Sequence, residues 1–313
     1  MKEGLTVQVQ QEFNIGPYPY AGKGWDSQQA MRLVLAVRRI GQTVETSVFE
    51  QQQQGKPIKL AVEVSSMFGC PVGCQFCASG QLRPVHYLNS REITDQALLL
   101  LRRNKEINLP QSVCYQGIGE PTLLPDTIVD SAHQILEEFP QVKFKMATMG
   151  AKPEAIAQFA NSDIPWVSLQ LSLPHWDLRK LQVIFNNFKG YNPNTILTGV
   201  RNFTQVRPDV RIKFNYPCIA GLNDTPADVE NIIALIASHG FVFDETTELK
   251  LSYLNPTATA LSHCLKSATE TRIRELLKHA KSLGAHNAYA FGPMADIMVG
   301  CGQLIHDGNL GYY

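Results

Sequence analysis

The stretch from Met67 to Gly80 reads MFGCPVGCQFCASG and decides how the rest of the chain is interpreted. Cys70, Cys74 and Cys77 follow one another at the spacing Cys-x-x-x-Cys-x-x-Cys, with glycine and proline between them, so one loop can wrap a small inorganic centre. Soft thiolate ligands suit zinc or iron–sulfur chemistry. Structural zinc sites usually have four ligands, often in two separated pairs, and the chain has no second Cys-x-x-Cys pair. The spacing therefore favours a four-iron cluster with one iron left open.

This pattern, with the aromatic Phe76 directly before the third cysteine, resembles the signature of the radical S-adenosylmethionine (SAM) superfamily. The resemblance implies a 4Fe–4S cluster held by Cys70, Cys74 and Cys77, and a SAM molecule bound beside it. It also implies an electron donor for the cluster, either a reductase or a protein of the flavodoxin or ferredoxin type.

Composition is that of a soluble globular protein. The chain has 313 residues, 44% of them hydrophobic and 18% charged, and its formal net charge is zero. The lack of a basic excess argues against a large nucleic-acid-binding surface. Seven cysteines, three of them clustered, indicate cofactor chemistry rather than a secreted disulfide framework. The first residues form no apolar signal region and no run has the length of a membrane span, so we expect a cytoplasmic protein without a membrane partner.

From Pro57 onward, apolar runs of strand length alternate with amphipathic stretches of helical period. The predicted strands are 58–66, 112–118, 143–149, 166–173, 211–219 and 249–254, with a last strand at 287–291. The predicted helices are 91–105, 126–139, 153–161, 194–206, 226–239 and 269–282. Thr225-Pro226, with Asp228 three residues after the threonine, is a good helix start.

Six strand–helix units imply right-handed crossovers and a parallel sheet. Six is two short of a closed eightfold barrel, so we predict an α/β fold with a partial (β/α)6 TIM-like barrel; the competing architecture is a doubly wound open sheet. In a barrel the active residues lie where strands end. The cysteine loop directly follows the first strand, and we therefore expect the cluster at that mouth.

The N-terminal part is predicted to be simpler. Residues 1–30 suggest an irregular arm with one or two short strands at most, and 51–54 a glutamine-rich turn. The segments 31–38 and 42–49 are predicted to form a β-hairpin. We therefore divide the chain into an arm and hairpin extension (1–56) and a barrel with a C-terminal tail (57–313).

Several residues at predicted strand ends are candidates for SAM binding. Gly119 and Glu120 follow the second strand, and their segment resembles the superfamily's motif that binds the SAM amino group; the alternative is a glycine turn with a solvated Glu120. Ser172 ends the fourth strand and Asn255 the sixth, where each can hydrogen-bond ribose or adenine or simply form a turn. Weaker candidates are Thr148, His175 and Arg179. The alternative for His175 is a solvated loop histidine, and for Arg179 a surface salt bridge.

A closer resemblance rests on segments that occur in order along about 31–305: VSSMFGCPVGCQFCASG, GIGEP, VSLQLSLPHWDLR, GLNDTP, LNP and GCGQL. Together they resemble the RlmN/Cfr-type radical SAM RNA (adenine) methylases. The resemblance implies that Cys301 is methylated by one SAM molecule. A second SAM then yields a 5′-deoxyadenosyl radical that takes hydrogen from the S-methyl group, and the methylene adds to an electrophilic ring carbon.

Two departures from that family change the expectations. The family has a second catalytic cysteine seven residues before the first cluster ligand, and Glu63 stands at that position here. Glu63 can deprotonate a ring carbon or bind a cationic or hydroxylated substrate, but it cannot form a disulfide. Cys114 or Cys218 could supply the missing thiol; the alternative for each is that it only packs in the core. Only about thirty residues precede the hairpin, where the family carries an RNA-binding domain, which weakens RNA as the substrate.

Three hypotheses follow for the function. The leading one is radical methyl or methylene transfer through Cys301 to an sp2 carbon of a nucleotide-like small molecule or an RNA. The second is a non-methylating radical SAM enzyme that abstracts hydrogen from a small molecule, with Glu63 as a substrate contact. The third is a cluster-binding sensor without turnover.

Overall fold

The computed structural model describes residues 4–14, 18–19, 25–53, 59–106, 109–185, 190–292 and 302–309. Its strands are β1 (Val7–Asn14), β2 (Tyr18–Pro19), β3 (Trp25–Val37), β4 (Gln42–Gln53), β5 (Lys59–Val64), β6 (Met67–Phe68), β7 (His86–Tyr87), β8 (Gln111–Tyr115), β9 (Lys143–Thr148), β10 (Trp166–Ser172), β11 (Arg211–Cys218), β12 (Thr247–Tyr253) and β13 (Tyr289–Phe291). Its α-helices are α1 (Ser90–Arg103), α2 (Pro125–Glu138), α3 (Pro153–Asn161), α4 (Leu178–Ile184), α5 (Pro193–Val206), α6 (Pro226–Ser238), α7 (Ala258–Ser262), α8 (Glu270–Ser282) and α9 (Gln303–Asn309).

One sheet carries the fold, in the strand order β1-β3-β4-β5-β8-β9-β10-β11-β12-β13. From β5 the sheet continues with β8, β9, β10, β11, β12 and β13, in chain order and each parallel to its neighbour, with helices in the connections. The short strands β6 and β7 pair antiparallel with each other in a separate sheet. A doubly wound sheet reverses its strand order at a switch point, and this order does not reverse. The predicted partial (β/α)6 barrel is therefore confirmed.

The strands alternate between two environments, as β9 shows. Phe144 and Met146 are buried, whereas the lysines at 143 and 145 stand on the opposite face. On the buried side the ring of Phe144 meets that of Trp166 on β10, with centroids 5.9 Å apart. The main core thus lies between the sheet and its helices, and the other face lines the inside of the barrel.

Local signals set the starts of the helices that cover this core. The predicted cap of α6 is confirmed: the Asp228 amide donates to Thr225 Oγ1 at 3.2 Å, and the Thr225 amide donates to the Asp228 carboxylate at 3.2 Å. A similar reciprocal pair, Asn89 and Glu92, begins α1. Among the described residues no helix is long and apolar enough to cross a membrane.

The N-terminal prediction is wrong in two places. Instead of an irregular arm, β1 is an eight-residue strand that pairs antiparallel with β3, because Val7 reaches the core while its glutamines face outward. Instead of a turn after residue 50, β4 of the confirmed hairpin continues to Gln53. The proposed boundary at 56 lies outside the described residues; β4 pairs antiparallel with β5 across it, and the two-part division stays a prediction.

Candidate active site

A cavity of about 300 Å³ opens at the carboxyl ends of the barrel strands. The predicted site residues within the described part of the chain all line this one cavity, together with the weaker candidate Thr148. They are Cys70, Cys74, Cys77, Glu63, Gly119, Glu120, Ser172 and Asn255. Cys301 lies outside the described residues.

The cysteine loop closes on itself. Gly69 has a left-handed backbone with φ of +73°, and a side chain there would collide with the Leu82 carbonyl at the other end of the loop. The Cys70 amide donates to the Ser79 carbonyl at 2.9 Å, and the Cys77 amide to the Cys74 carbonyl at 3.0 Å. These bonds hold the loop closed, and its three cysteines line the cavity.

The three thiols suit an iron–sulfur cluster. Cys70, Cys74 and Cys77 line one cavity, and burial and the nearby Cys77 raise the pKa of Cys70. Soft thiolate donors on one loop are typical ligands of such clusters, so the donor set fits this group.

The loop after β8 is hydrogen-bonded to the start of the cysteine loop. The amides of Ser66 and Met67 both donate to the Ile118 carbonyl, at 2.9 and 3.0 Å. The Ile118 amide donates to the Ser65 hydroxyl oxygen at 3.0 Å. Gly119, with φ of +121°, has no room for a side chain against the Ser66 hydroxyl. Only glycine allows the two loops to come this close.

Glu120 is buried rather than solvated, so the solvated-turn alternative is wrong. One carboxylate oxygen accepts from the hydroxyls of Thr122 (2.6 Å) and Thr148 and from the Thr122 amide; the other accepts from the Met149 amide at 2.9 Å. Burial raises the pKa of this carboxyl, and these donors oppose the shift. The result is an acceptor held in one orientation on the cavity wall.

Ser172 and Asn255, the two candidates for hydrogen bonds to ribose or adenine, also line the cavity. Ser172 is the Cα partner of Asn215 on β11, and its carbonyl accepts from the Tyr191 hydroxyl at 3.4 Å. The buried amide oxygen of Asn215 has no hydrogen-bond partner among the described residues. Asn255 follows β12 on the same cavity. Amide and hydroxyl groups thus line the cavity near the ends of β10, β11 and β12.

Glu63 lies on the cavity wall at the end of β5, where its Oε2 accepts from the Ser47 hydroxyl at 3.1 Å. Its Cα partner on β8 is Cys114, whose thiol is buried and has its pKa raised to about 12, mainly by burial. Cys218 instead belongs to the hydrophobic core, where burial likewise raises its pKa to about 12. Of the two alternative thiols, only Cys114 neighbours Glu63.

The other two weak candidates do not line the cavity. His175 is fully buried instead of solvated; its Nδ1 accepts from the Asp177 amide at 2.8 Å and its Nε2 lies 3.5 Å from an Asp228 oxygen. Arg179 is 89% exposed, with its guanidinium 3.6 Å from Asp177. His175 is therefore part of the buried structure, and Arg179 is a surface residue.

Sequence reasoning missed several polar residues of the cavity, namely Gln116, Gln170, Asn215 and Lys250. Their signal was present in the strands. Segments such as RIKFNY and LKLSY alternate apolar and polar residues although both sheet faces are covered. Such alternation indicates a polar barrel interior.

Residues 64–236 match the sequence model of the radical SAM superfamily. The chain belongs to this superfamily. As a radical SAM enzyme it works with a 4Fe–4S cluster and SAM.

Two relatives of this radical SAM enzyme are RNA methyltransferases by name. One, from Synechococcus sp. (strain JA-2-3B'a(2-13)), carries the name "Probable dual-specificity RNA methyltransferase RlmN" and is 27% identical over 79% of this chain and 68% of its own length. The "Dual-specificity RNA methyltransferase RlmN" of Oleidesulfovibrio alaskensis is 25% identical over 77% of this chain and 66% of its own. The enzyme thus spans about two thirds of these RlmN-type relatives.

Solved structures show the same fold. A radical SAM methyltransferase from Sphaerobacter thermophilus superimposes with a TM-score of 0.77 at 22% identity, covering 96% of this chain and 81% of that one. A spore photoproduct lyase gives 0.54 at 10% identity, covering 73% and 75%.

The tight contact at Gly119 can be tested by substitution. We expect Gly119→Ala to lower the free energy of unfolding by about 1–3 kcal/mol, because alanine is strained at this φ and meets Ser66. Gly190→Ala is the control, since no atom of the described residues lies within 4 Å of a side chain added there. Thermal unfolding of both variants measures the difference; equal melting temperatures would show that the loops tolerate separation.

Proposed function

We propose that this enzyme transfers a methyl or methylene group through Cys301 to an sp2 carbon of a nucleotide-like molecule or an RNA. In this proposal Cys70, Cys74 and Cys77 hold the cluster. When bound, the cluster and SAM supply a radical that can abstract hydrogen. The chain's own residues bind, orient and shield the reacting groups.

The observation that carries the proposal is the position of the residue next to Cys301. Gly302 packs on Ser79, two residues past the cluster-loop Cys77; a side chain at Gly302 would come within 2.8 Å of the Ser79 hydroxyl. The segment that follows Cys301 in the sequence is thereby anchored on the cysteine loop, and this supports the assignment of Cys301 as the carrier of the transferred carbon.

A buried carboxylate holds this segment. Glu45 on β4 accepts from the amides of Gly302 and Ile305, both at 3.0 Å, and its Oε2 lies 3.4 Å from an Arg32 nitrogen. At the other end of the segment, Asp307 accepts from the Ala258 amide at 3.2 Å. The start of α9 is thus fixed from the hairpin and from the barrel rim.

For SAM, the proposal assigns the fixed carboxylate of Glu120 to the ammonium group, with backbone of Gly119 next to the carboxylate end. Ser172 and Asn255 are assigned to the ribose and adenine. An ammonium–carboxylate contact in an enclosed cavity is a charge-assisted hydrogen bond, among the stronger polar contacts in proteins.

For the substrate, we propose that Glu63 either accepts the proton of the ring carbon or binds a cationic or hydroxyl group. The names of the relatives favour RNA, and the cavity alone is equally suited to a small nucleotide-like molecule. The expected electron donor is a reductase or a flavodoxin- or ferredoxin-type protein.

One observation favours a second candidate, hydrogen abstraction without methylation. Cys114, the Cα partner of Glu63, is not among the residues that line the cavity, and its raised pKa disfavours the thiolate. Hydrogen abstraction without methylation needs no second reactive thiol beside the substrate. The two candidates differ in whether Cys301 becomes methylated.

Peptide mass spectrometry of anaerobic, cluster-replete protein after incubation with SAM tests the proposal. We expect one added methyl group on the peptide that contains Cys301, and none in Cys301→Ala. The exposed Cys264 provides an internal control for non-specific alkylation. An unmodified Cys301, with 5′-deoxyadenosine formed on adding dithionite, would leave the hydrogen-abstraction candidate.

The role of Glu120 is tested by Glu120→Gln, which keeps the shape and removes the charge. We expect SAM affinity to fall by about 10- to 100-fold, the range for one charge-assisted hydrogen bond, with iron content unchanged. The exposed Glu154→Gln is the matched control. Equilibrium binding of SAM reports the change, and unaltered affinity would refute the assignment.

The variant Glu45→Gln tests whether Glu45 positions the segment that contains Cys301 without affecting the cleavage of SAM. Because a misplacement of about 1 Å can cost on the order of a hundredfold in rate, we expect Cys301 methylation to slow about that much while dithionite-driven cleavage of SAM persists. Glu138→Gln, in an exposed ion pair with Arg102, serves as control. Parallel loss of both activities would mean that Glu45 supports the fold only.

A further inference from the structure

One polar side chain of the barrel interior, that of Asn215 on β11, has an unsatisfied hydrogen-bond acceptor. Asn215 lines the cavity. Its Oδ1 atom is buried, yet no described residue donates a hydrogen bond to it. A buried acceptor without a donor lowers stability, and asparagine is disfavoured in strands. These two costs indicate that the residue serves a purpose other than stability.

The backbone of Asn215 is held on both sides. Asn215 is the Cα partner of Ser172 on β10 and of Lys250 on β12. Its carbonyl oxygen accepts from the Leu173 amide at 2.9 Å. These contacts involve the main chain and leave the side chain aside. A strand in the middle of the sheet therefore presents this amide group from a rigid position.

A second side-chain amide, that of Gln170 on β10, lies close to Asn215. Gln170 precedes Ser172 by two residues, so both share the inward face of β10, and both line the cavity. Lys250 reaches across β11 and donates from its ammonium to the Gln170 amide oxygen at 3.0 Å. Because an ammonium group only donates, this bond fixes which end of the Gln170 amide is the oxygen. The N–H groups of Nε2 take no part in it and are available to a ligand.

The residues next to the two amides are small or apolar. Ala147 on β9, the Cα partner of Gln170, contributes only a methyl group to the cavity wall. Pro217, two residues after Asn215 on the same face of β11, contributes an apolar ring. Binding sites with apolar walls and a few fixed polar groups use those groups to orient the ligand.

Both amides lie below the rim of the barrel. Ser172 is the last residue of β10, and the other proposed SAM contacts follow the ends of their strands. Gln170 precedes the end of β10 by two residues, and Asn215 precedes the end of β11 by three. Glu63, the proposed substrate contact, likewise precedes the end of β5. This placement favours the substrate over SAM as the ligand of the two amides.

We propose that Asn215 and Gln170 bind the edge of a planar, uncharged nitrogen heterocycle of the substrate, one that carries a hydrogen-bond donor beside an acceptor. An amide offers an acceptor and N–H donors in one plane, the pattern that pairs with the amidine or lactam edge of a base. The χ2 torsion of asparagine has a broad profile, so Oδ1 turns from its buried position to the ligand at little cost. The inference rests on the proposed function, because it takes this cavity as the substrate site.

The pair of amides gives the site its selectivity. A ligand that donates to Asn215 Oδ1 supplies the hydrogen bond that this buried oxygen lacks among the described residues. An analogue without that donor leaves the oxygen unpaired, and a site built to hydrogen-bond a substrate group rejects such an analogue strongly. Asn215 is therefore a specificity-determining residue.

Anaerobic calorimetric titration of cluster-replete protein, with saturating SAM and no reductant, tests this inference. The probes are adenosine, inosine and purine riboside; purine riboside has the same ring and ribose but no donor on the corresponding edge. We expect adenosine or inosine to bind, and purine riboside to bind at least about tenfold more weakly, the equivalent of one hydrogen bond. In Asn215→Leu this preference should fall to within about threefold.

Two further variants complete the titration. Gln170→Glu keeps an oxygen for Lys250 and removes the N–H donors, so we expect it to weaken the binding of the preferred nucleoside by about tenfold. The exposed Asn194→Leu on α5 removes the same amide as Asn215→Leu at the surface, and the preference among the probes should be unchanged in it.

The stability of Asn215→Leu separates a binding role from a structural one. Because Oδ1 is buried without a donor in the described part of the chain, an apolar group of similar size should leave the melting temperature unchanged or raise it. A melting temperature well below that of Asn194→Leu, with the preference among the probes retained, overturns the inference. It is also overturned if no probe binds the wild-type protein at millimolar concentrations, or if Asn215→Leu loses SAM affinity, which would assign the amide to SAM.

A short single-stranded RNA that contains adenosine distinguishes two sources of the heterocycle. Tighter binding of the RNA than of the nucleoside indicates a base within RNA, and equal binding indicates a small molecule. Methylation of Cys301 needs only SAM and is measured separately, so the failure of this inference is distinguishable from the failure of the proposed function.

Discussion

The site depends on the hydrogen bonds between the backbone after β5 and the backbone after β8. Ser66 and Met67 both donate to the Ile118 carbonyl, and Gly117 donates to Val64 at 3.0 Å. Parallel neighbours normally diverge once their strands end. Here the pairing continues past both strands, and glycines at 117 and 119 remove the side chains that would prevent it. The cysteine loop and the Glu120 loop therefore form one unit.

The other parts of the cavity attach to that unit. Thr148 and Met149 at the end of β9 bind the Glu120 carboxylate, so the third strand of the barrel is joined to the second through a side chain. The Thr257 hydroxyl donates to the Phe76 carbonyl at 3.1 Å and connects the rim after β12 with the cysteine loop. Satisfied buried hydrogen bonds of this kind hold the segments that they join in fixed positions.

Much of the fold followed from sequence because strand–helix alternation, helix caps and the cysteine spacing are local signals. The predicted strands lie within a few residues of β5 and β8 to β13, and the cap at Thr225 was correct. The burial of His175 was missed, because it arises from distant segments that cover this residue. β1 was missed because its glutamine-rich outer face hides the alternation. Lys250 lies on one of the alternating strands that indicate a polar interior, but charged residues on strands are ordinarily assigned to solvent.

The Glu45 carboxylate has a consequence for how the protein is made. Its partners Gly302 and Ile305 lie 257 and 260 residues further along the chain. Contacts of such sequence separation form late, because a long loop must close first. During synthesis the hairpin leaves the ribosome long before the segment that completes its buried carboxylate. We therefore expect Gly302 to cover Ser79 of the cysteine loop late in folding, only after residues 302–309 have been synthesised.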